Sequence, residues 1–305
     1  MFLTLQITDA TLLLYSQEMR SPWKYEIMFM KIGILYHPMN ESARKLANKL
    51  EKTLTKKGVS IWLCSSWDVE SARTKTNGTE LILSIGGDGT ILRAAQAVIP
   101  GKTPITGINM GNLGFMTELS AAETEDELYR ILDGEGWIDE RCLLEAEVLP
   151  CEGSPRSTFY ALNDIVIARG SVARVIYVTA FIDSALLTTY KADGVILATA
   201  TGSTGYALAA GGPILPPHST DFLLLPIVPL LNVKNCVVLP PDSKVQLSVQ
   251  AVHPATLSID GHTNLPLNSG AVIKVRRSRH KVRFLRIHPA SSFYSTLEKR
   301  LKGKQ

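Results

Sequence analysis

The sequence predicts an α/β N-terminal domain with a parallel sheet, followed by an all-β, sandwich-like C-terminal domain. Strand and helix patterns alternate from residue 30 to about residue 135, and short β-rich runs separated by turn residues fill residues 140 to 287. Alternation is typical of a parallel sheet with helices on its faces, whereas successive short strands are typical of a sandwich. The chain has 305 residues, of which 45% are hydrophobic, so it is long and apolar enough to form both cores.

The first domain contains four strand patterns and three helix patterns. Five apolar residues share one face of a helix that stops at Gly58: Ala43, Leu46, Ala47, Leu50 and Leu54. A capping box, Thr124 with Glu127, opens a helix that ends near Gly134. We predict strands at Lys31–Tyr36, Val59–Leu63, Leu81–Ile85 and Pro104–Ile108, and a further helix at Ile91–Val98.

The second domain is predicted from eight β-rich runs, and the tail over Ser292–Lys302 has a helical pattern. The runs are Cys142–Leu149, Thr158–Ala168, Val175–Ile182, Gly194–Thr199, Lys244–Val252, Thr256–Ile259, Ala271–Val275 and Val282–Ile287. The predicted limits are 30–139 for the α/β domain, 140–287 for the sandwich and 288–305 for a tail that packs back on the first domain. We expect Met28 or Met30 to be the biological start, which makes residues 1–29 an extension outside the native protein.

The composition argues against several classes of protein. The cysteines form no C-x-x-C pair, which is typical of reduced thiols rather than a zinc site or a disulfide framework. No apolar run has the length of a membrane span, and no signal peptide is evident. Much of the net charge of +4 comes from a basic surface strip that includes Arg286 and Arg300, but no nucleic-acid-binding motif accompanies it. We therefore expect a cytoplasmic protein without nucleic-acid or membrane partners.

The most informative segment is the glycine-rich turn Ser84–Thr90, between the Leu81–Ile85 strand and the following helix. Its glycines allow a tight turn with exposed backbone N–H groups, and a helix N-terminus adds further donors. This is a phosphate cradle that contains one carboxylate, Asp88. A carboxylate among anion-binding donors repels the anion, so its presence indicates that it accepts a proton or binds a metal. The alternative is that Asp88 only caps the helix.

Two further groups of residues have the composition of ligand sites. The segment Thr199–Pro213 places hydroxyl and glycine residues before a short helix, which suits phosphate or sugar hydroxyls. Asn163-Asp164 interrupts an apolar run, and polar side chains there are costly to bury without partners. An amide and a carboxylate side by side could bind the two hydroxyls of a ribose. Asp193-Gly194 and Asp260-Gly261-His262 also lie at the ends of strand patterns, where turn residues are the common alternative.

Five motifs in this order resemble the NAD kinase family: Gly86–Thr90, Gly111–Phe115, Asn163-Asp164, Asp193-Gly194 and Thr201–Tyr206 followed by Gly211–Pro213. The resemblance covers about residues 31 to 301. It implies transfer of the γ-phosphate of ATP, or in some members of polyphosphate, to the 2′-hydroxyl of the adenosine ribose of NAD. It also implies Mg²⁺ or another divalent metal, NAD and ATP as ligands, and a homodimer or homotetramer.

The resemblance assigns roles to individual residues. Asp88 would be the general base, and Gly86, Gly87, Gly89, Thr90 and Arg93 would form the phosphate loop. Asn163 and Asp164 would bind ribose hydroxyls. The other residues implied around NAD are Asp88, Gly89, Arg174, Lys191, Asp193, Thr201, Thr204, Gly205, Tyr206, Ala207, Leu208 and Ala209, and Asp193 would reach across a subunit interface. Asp260 and His262 are weaker candidates, and no metal ligand is assigned directly.

Two departures and two rival functions stay open. The stretch Pro229–Asn235 lacks the pattern that the family has after the sandwich helix, and His262 stands where glutamine is frequent. A lipid kinase could use the same Asp-containing turn, but it would not need Asn163-Asp164. A non-catalytic NAD-sensing module is the other alternative, although a sensor has no need of a base.

Overall fold

The computed structural model describes residues 30–111, 113–149, 156–170, 174–230 and 235–302. The prediction for residues 1–29 and the departure at residues 231–234 lie outside this part of the chain.

The N-terminal half alternates strands and helices around a parallel sheet. In chain order it contains β1 (Lys31–Tyr36), α1 (Glu41–Lys56), β2 (Ser60–Ser65), α2 (Val69–Lys75), β3 (Leu81–Gly86), α3 (Asp88–Val98), β4 (Ile105–Asn109), β5 (Leu119–Ser120) and α4 (Thr124–Leu132). β1 pairs in parallel with β2 and β3, and β3 pairs in parallel with β4. All residues of β3 are buried, as a strand covered on both faces requires. The predicted parallel sheet is confirmed.

The C-terminal half is a β-sandwich followed by a helix. It contains β6 (Trp137–Leu149), β7 (Ser157–Ala161), β8 (Asp164–Arg169), β9 (Ile176–Ile182), β10 (Ala185–Ala192), β11 (Gly194–Thr199), a 3₁₀ turn (Gly202–Thr204), α5 (Tyr206–Ala209), β12 (Phe222–Ile227), β13 (Val237–Leu239), β14 (Lys244–Gln250), β15 (Ala255–Ile259), β16 (Thr263–Leu267), β17 (Val272–Arg286) and α6 (Ser292–Lys302). One sheet has the order β13-β12-β11-β8-β15-β16. Its apolar face packs against β6, β9, β14 and β17, and the core lies between these layers. The predicted sandwich is confirmed.

The two halves share one sheet, which was not predicted from the sequence. β17 pairs with β14 and β6 inside the sandwich and then runs alongside β4, with Phe284 opposite Ile105. The resulting path is β10-β9-β14-β17-β4-β3-β1-β2. The predicted limit between residues 139 and 140 therefore falls inside β6, and the sandwich continues directly into the parallel sheet.

Several predicted elements need correction. α3 begins at Asp88 rather than near Ile91, so the carboxylate lies in the first turn of the helix. The capping box at α4 is formed by Ser120 and Glu123, whose backbone N–H groups donate to each other's side chains. Glu127 instead pairs with Arg130. The run Thr158–Ala168 is two strands, and the last two predicted runs are the single strand β17. The elements that were missed are α2, β5, β10, β12, β13 and β16.

Candidate functional site

The Asp88 carboxylate is held by a second loop. β3 ends at Gly86, Gly87 precedes α3, and the half-buried Asp88 is the first helical residue. Its Oδ2 accepts the N–H of Phe115 at 2.9 Å, and its Oδ1 accepts the N–H of Met116 at 3.0 Å. A Cβ at Gly114 would collide with this carboxylate, so only glycine lets the loop close on it. The geometry fixes the direction of the carboxylate, and a carboxylate oxygen that accepts one hydrogen bond can still accept another.

An open pocket of about 550 Å³ adjoins the glycine turn. Gly86 and Gly87 form one wall, His37 and Met39–Ser42 at the start of α1 form another, and Asn109–Gly111 close the third. The N-termini of α1 and α3 both border this space, which favours an anion there. Thr90 Oγ1 lies beneath the turn and has no hydrogen-bond partner in the described part of the chain. No sequence pattern indicated the contribution of the segment before α1.

Arg93 lies one helical turn beyond Gly89, on the same face of α3. Gln96 continues this face and reaches the sandwich, where its Nε2 donates to Tyr160 O at 2.7 Å and to Asp260 Oδ2 at 3.0 Å. This face of α3 therefore looks toward the C-terminal half. The helix that carries Asp88 at its start is anchored to the sandwich at its far end.

Asn163 and Asp164 converge on Gly205. Asn163 lies between β7 and β8, and Asp164 is the first residue of β8. A Cβ at Gly205 would lie 3.4 Å from Asn163 Nδ2 and 3.8 Å from Asp164 Oδ2. Asn163 Oδ1 is buried and has no partner among the residues that the structure describes. A buried polar atom without a partner calls for an explanation, and a ligand that binds there is one.

In the hydroxyl-rich segment after β11, most of the side-chain hydroxyls form hydrogen bonds within the protein. Ser203 Oγ donates to Ala200 O at 2.6 Å, Thr204 Oγ1 donates to Thr201 O at 3.1 Å, and Thr201 Oγ1 accepts from Arg141 Nη1 at 3.2 Å. The hydroxyl protons of Ser203 and Thr204 are thus used within the protein, and the prediction that this segment binds phosphate or sugar hydroxyls stays a prediction. Ala207 is buried, Leu208 is half-buried, and Tyr206 and Ala209 are exposed beside Gly205.

Asp260 supports the Asn163-Asp164 turn from within the protein. It is buried at the end of β15, and its carboxylate accepts the backbone N–H groups of Leu162, Asn163 and Asp164 at 2.9, 2.7 and 3.1 Å. Gln96 supplies a fourth hydrogen bond. Burial raises the pKa of Asp260, and the four donors oppose that rise because they favour the ionised form. His262 Nδ1 lies only 3.1 Å from Asp260 O, in the turn that follows.

Asp164 is set to titrate near neutrality. Burial, and then the neighbouring charge of Asp260, raise the pKa of Asp164 from 3.8 to about 7. Two carboxylates in one buried site do not both ionise easily. Asp260 accepts four hydrogen bonds, which favour its ionised form over that of Asp164. Asp164 therefore takes the proton of the pair as the pH falls below 7.

Asp164→Asn is expected to change how stability depends on pH. The folded state keeps a proton that the unfolded chain releases from about pH 4 upward, so the free energy of unfolding falls as pH rises toward 7 and then levels off. Asparagine does not titrate, so the free energy of unfolding of the variant does not fall in this way. The difference in free energy of unfolding, variant minus parent, should therefore rise by a few kcal/mol between pH 4 and pH 8. Its slope should not exceed about 1.4 kcal/mol for each pH unit. Urea unfolding at several pH values measures this difference, and parallel curves for both proteins contradict it.

Arg174, Lys191 and Asp193 lie away from the Asn163-Asp164 pair. Asp193 directly precedes β11 and pairs with Arg169 at 2.8 Å, whereas the Thr199–Thr204 segment follows the other end of that strand. A strand of this length separates the two positions by about 20 Å. Arg174 is exposed, and Lys191 lies over the ring of Tyr177. β11 thus separates Asp193 from the Asn163-Asp164 pair, while Lys191 in β10 and Arg174 just before β9 belong to the other sheet.

A buried ionic network connects the two loops of the site. Arg141 binds Asp139 with three hydrogen bonds, and Arg286 reaches both Asp139 and Met116 O. Since Arg141 also donates to Thr201, hydrogen bonds run without a break from the loop that holds Asp88 to the segment after β11. Arg286 was wrongly placed in a surface strip. Arg286 is two residues from Phe284 and four from Val282 along β17, so all three side chains lie on the same face of the strand. Because Val282 and Phe284 are apolar and buried, this spacing could have predicted that Arg286 points inward.

The described residues contain no group of three or more His, Cys, Asp or Glu side chains that could hold a metal ion. Mg²⁺ is usually held by one or two carboxylates together with substrate phosphates, and Asp88 beside the glycine turn fits that arrangement. In the same part of the chain, no helix is long and apolar enough to cross a membrane.

A carboxylate fixed beside a glycine-rich anion cradle, with the polar Asn163-Asp164 pair on an adjoining sandwich, is typical of a nucleotide-dependent phosphotransferase. Comparison with known families finds matches to both domains of a single family. Residues 35–136 match the family described as the ATP-NAD kinase N-terminal domain, and residues 162–287 match the ATP-NAD kinase C-terminal domain. The chain belongs to the NAD kinase family, which confirms the resemblance seen in the sequence.

Relatives and solved structures agree with this assignment. The NAD kinase of Dehalococcoides mccartyi (strain CBDB1) is 50% identical over 90% of this chain and 97% of its own length. The NAD kinase of Chloroflexus aurantiacus is 38% identical over 90% and 99%. An NAD kinase from Archaeoglobus fulgidus in complex with ATP has a TM-score of 0.71, 25% identity and coverage of 89% and 99%. Yeast NADH kinase complexed with NADH has a TM-score of 0.78 at 23% identity over 92% and 89%, which supports the fold.

Proposed function

We propose that the protein transfers the γ-phosphate of ATP to the 2′-hydroxyl of the adenosine ribose of NAD. The observation that carries the proposal is the Asp88 carboxylate, which two backbone N–H groups hold beside the glycine turn. The turn and the pocket next to it receive the phosphates, and Asn163 with Asp164 receives the ribose. Family membership supports the same reaction.

Asp88 acts as the general base. The N–H groups of Phe115 and Met116 fix the direction of its carboxylate, and the remaining acceptor capacity of the carboxylate can take the proton of the 2′-hydroxyl. As that proton moves to Asp88, the hydroxyl oxygen forms a bond to the γ-phosphorus, and the bond from phosphorus to the bridging oxygen of ADP breaks. Positioning and neutralisation of phosphate charge supply the remaining stabilisation.

Charge neutralisation falls to the phosphate loop and to a divalent metal. Gly86, Gly87 and Gly89 offer backbone donors, and Arg93 lies on the same helix face as Gly89. The N–H of Thr90 donates to Gly87 O, so Thr90 would act through its buried Oγ1. Mg²⁺, held by Asp88 and the ATP phosphates, would reduce the negative charge that the attacking oxygen meets. The use of polyphosphate, a homodimer or homotetramer, and a role for Arg174, Lys191 and Asp193 at a second subunit remain predictions from the resemblance, as does the cytoplasmic location.

Asn163→Ala and Asp164→Ala are each expected to weaken NAD binding more than ATP binding. Each change removes hydrogen bonds to ribose hydroxyls, worth roughly 1.5–3 kcal/mol where the protein partner is charged. Isothermal titration of NAD and of ATP measures the two effects separately. Asn268→Ala, at an exposed turn position, is the control and should leave both affinities unchanged. Parental NAD affinity in both site variants would place the ribose elsewhere.

A direct assay tests the proposed function. The purified protein is incubated with NAD or NADH, with ATP or polyphosphate, and with or without Mg²⁺, and NADP(H) is detected. Formation of NADP that requires both ATP and Mg²⁺ is expected. NAD binding without turnover would favour an NAD-sensing module, and phosphorylation of diacylglycerol or sphingosine in place of NAD would favour a lipid kinase.

A further inference from the structure

A second pocket, here called the C-terminal pocket, lies between the loop after β4, the start of β6, the end of β17 and α6. Its volume is about 170 Å³. Its polar lining includes Arg141, His218, Arg286, His288, Ser292 and Arg300. The proposed phosphate and ribose sites do not use this space.

The C-terminal pocket carries an excess of positive charge. Arg141, Arg286 and Arg300 are buried in its wall, opposite the two carboxylates of Asp139 and Glu118. Those carboxylates are already occupied. Asp139 accepts from Arg141 and Arg286, and Glu118 accepts from Arg286 and from the backbone N–H groups of Ile287 and His288. Three guanidinium groups against two carboxylates leave one positive charge in excess within the pocket.

Arg300 is the cation that remains without an ion pair. Its exposed fraction is 9%, Nε donates to Thr296 Oγ1 at 2.8 Å, and Nη1 donates to Gly114 O. In the described part of the chain, no carboxylate lies within 4.0 Å of its guanidinium nitrogens. Burial lowers the pKa of Arg300, and the charge of Arg286 lowers it further, while the charges of Asp88 and Glu118 offset only part of this. A buried charge without a close partner is costly to a folded protein.

We propose that the C-terminal pocket binds a small oxyanion of the size and charge of orthophosphate. A volume of about 170 Å³ holds several times the roughly 30 Å³ that one water occupies in the liquid. It is below the roughly 300–1,000 Å³ of pockets that enclose drug-sized ligands, so a nucleotide does not fit. Guanidinium groups match the oxygens of phosphate in geometry and charge, and the exposed His218 adds a donor at the rim.

Such an anion would act on the loop that holds Asp88. Arg286 donates to Met116 O at 2.8 Å, and Arg300 donates to Gly114 O. The N–H groups of the same loop hold the Asp88 carboxylate. An anion between these arginines offsets their mutual repulsion. It therefore stabilises their hydrogen bonds to Met116 O and Gly114 O, and with them the folded protein.

Thermal melts of the full chain in sodium phosphate test the proposal, with sodium chloride at equal ionic strength as reference. We expect a rise in Tm that grows with the logarithm of the phosphate concentration once that exceeds Kd, as ligand linkage requires, and that chloride does not produce. Arg300→Gln should abolish this phosphate-specific rise. Arg276→Gln is the matched control, because Arg276 is an exposed arginine paired with Glu145, and it should keep the full rise.

A second variant keeps the test decisive if Arg300→Gln does not fold. His218→Asp changes only an exposed side chain at the rim, and its negative charge should weaken the apparent phosphate affinity at least threefold. Two results would overturn the proposal. One is a parental Tm that responds equally to phosphate and chloride. The other is an unchanged phosphate response in His218→Asp or in folded Arg300→Gln, which would place the anion elsewhere, for example at the glycine turn.

Discussion

Asp88→Asn is expected to lower kcat for NADP formation by about 10²–10⁴-fold, the range typical for loss of a general base. The amide has nearly the same size, but it cannot accept the proton of the 2′-hydroxyl. It also cannot accept both N–H groups of the Phe115–Met116 loop, because one of its two positions is now an NH₂ donor. A modest loss of stability, about 1–3 kcal/mol, should accompany the loss of rate.

The measurement is kcat beside a thermal melt of the same protein. Asp68→Asn is the matched control, because Asp68 is an exposed carboxylate that caps α2 through the N–H of Ser71. Asparagine is an equally good cap there, so both rate and stability should be retained. If Asp88→Asn also stays active, Asp88 serves only to fix the loop, and another group must take the proton.

Asp260→Ala is expected to destabilise the protein by about 4 kcal/mol or more, among the largest losses for a single substitution. It leaves the N–H groups of Leu162, Asn163 and Asp164 buried without an acceptor, and Gln96 Nε2 keeps only its bond to Tyr160 O. For a protein of this size, Tm should fall by roughly 6–10 °C. NAD binding should weaken as well, because the Asn163-Asp164 turn loses its support.

Chemical denaturation with Asp242→Ala as control checks this expectation, since the side chain of Asp242 is 95% exposed and should matter little. Where Asp260→Ala is too unstable to study, Gln96→Leu removes one of the four donors and should give a smaller loss. Unchanged stability in Asp260→Ala would show that water replaces the carboxylate, and that Asp260 does not position the ribose pair.

Sequence patterns predicted best the elements in which every residue, or one regular face, is buried. β3 and β11 are continuous apolar runs covered on both faces, and their bounds are close to the prediction. β10 was missed because half of its residues are exposed, including the apolar Leu186 and Leu187, so its sequence does not alternate between apolar and polar residues. The continuity of β17 across both halves was missed because its sequence, rich in Lys and Arg from Lys274 to Arg283, does not look like a central strand.

The candidate site shows the same limit. The glycine turn and the Asn163-Asp164 pair were found because their residue types are unusual where they stand. The role of Asp260 could not be predicted, since its backbone donors lie 96 to 98 residues away in the chain and Gln96 lies 164 residues away. Partners that are distant in sequence therefore decide the role of Asp260. Ser203 and Thr204, by contrast, donate to carbonyls only three residues earlier, a local bond that Ser and Thr commonly make and that the sequence analysis overlooked.

The passage of β17 from the sandwich into the parallel sheet has a consequence for synthesis. The inner edge of β4, the Arg286 contact to Met116 O and the Arg300 contact to Gly114 O all depend on residues near the C-terminal end of the chain. A ribosome-bound chain that has emerged only as far as β16 lacks every one of them. The loop that holds Asp88, a residue encoded in the first third of the sequence, therefore receives its last contacts only when the C-terminal end of the chain has emerged.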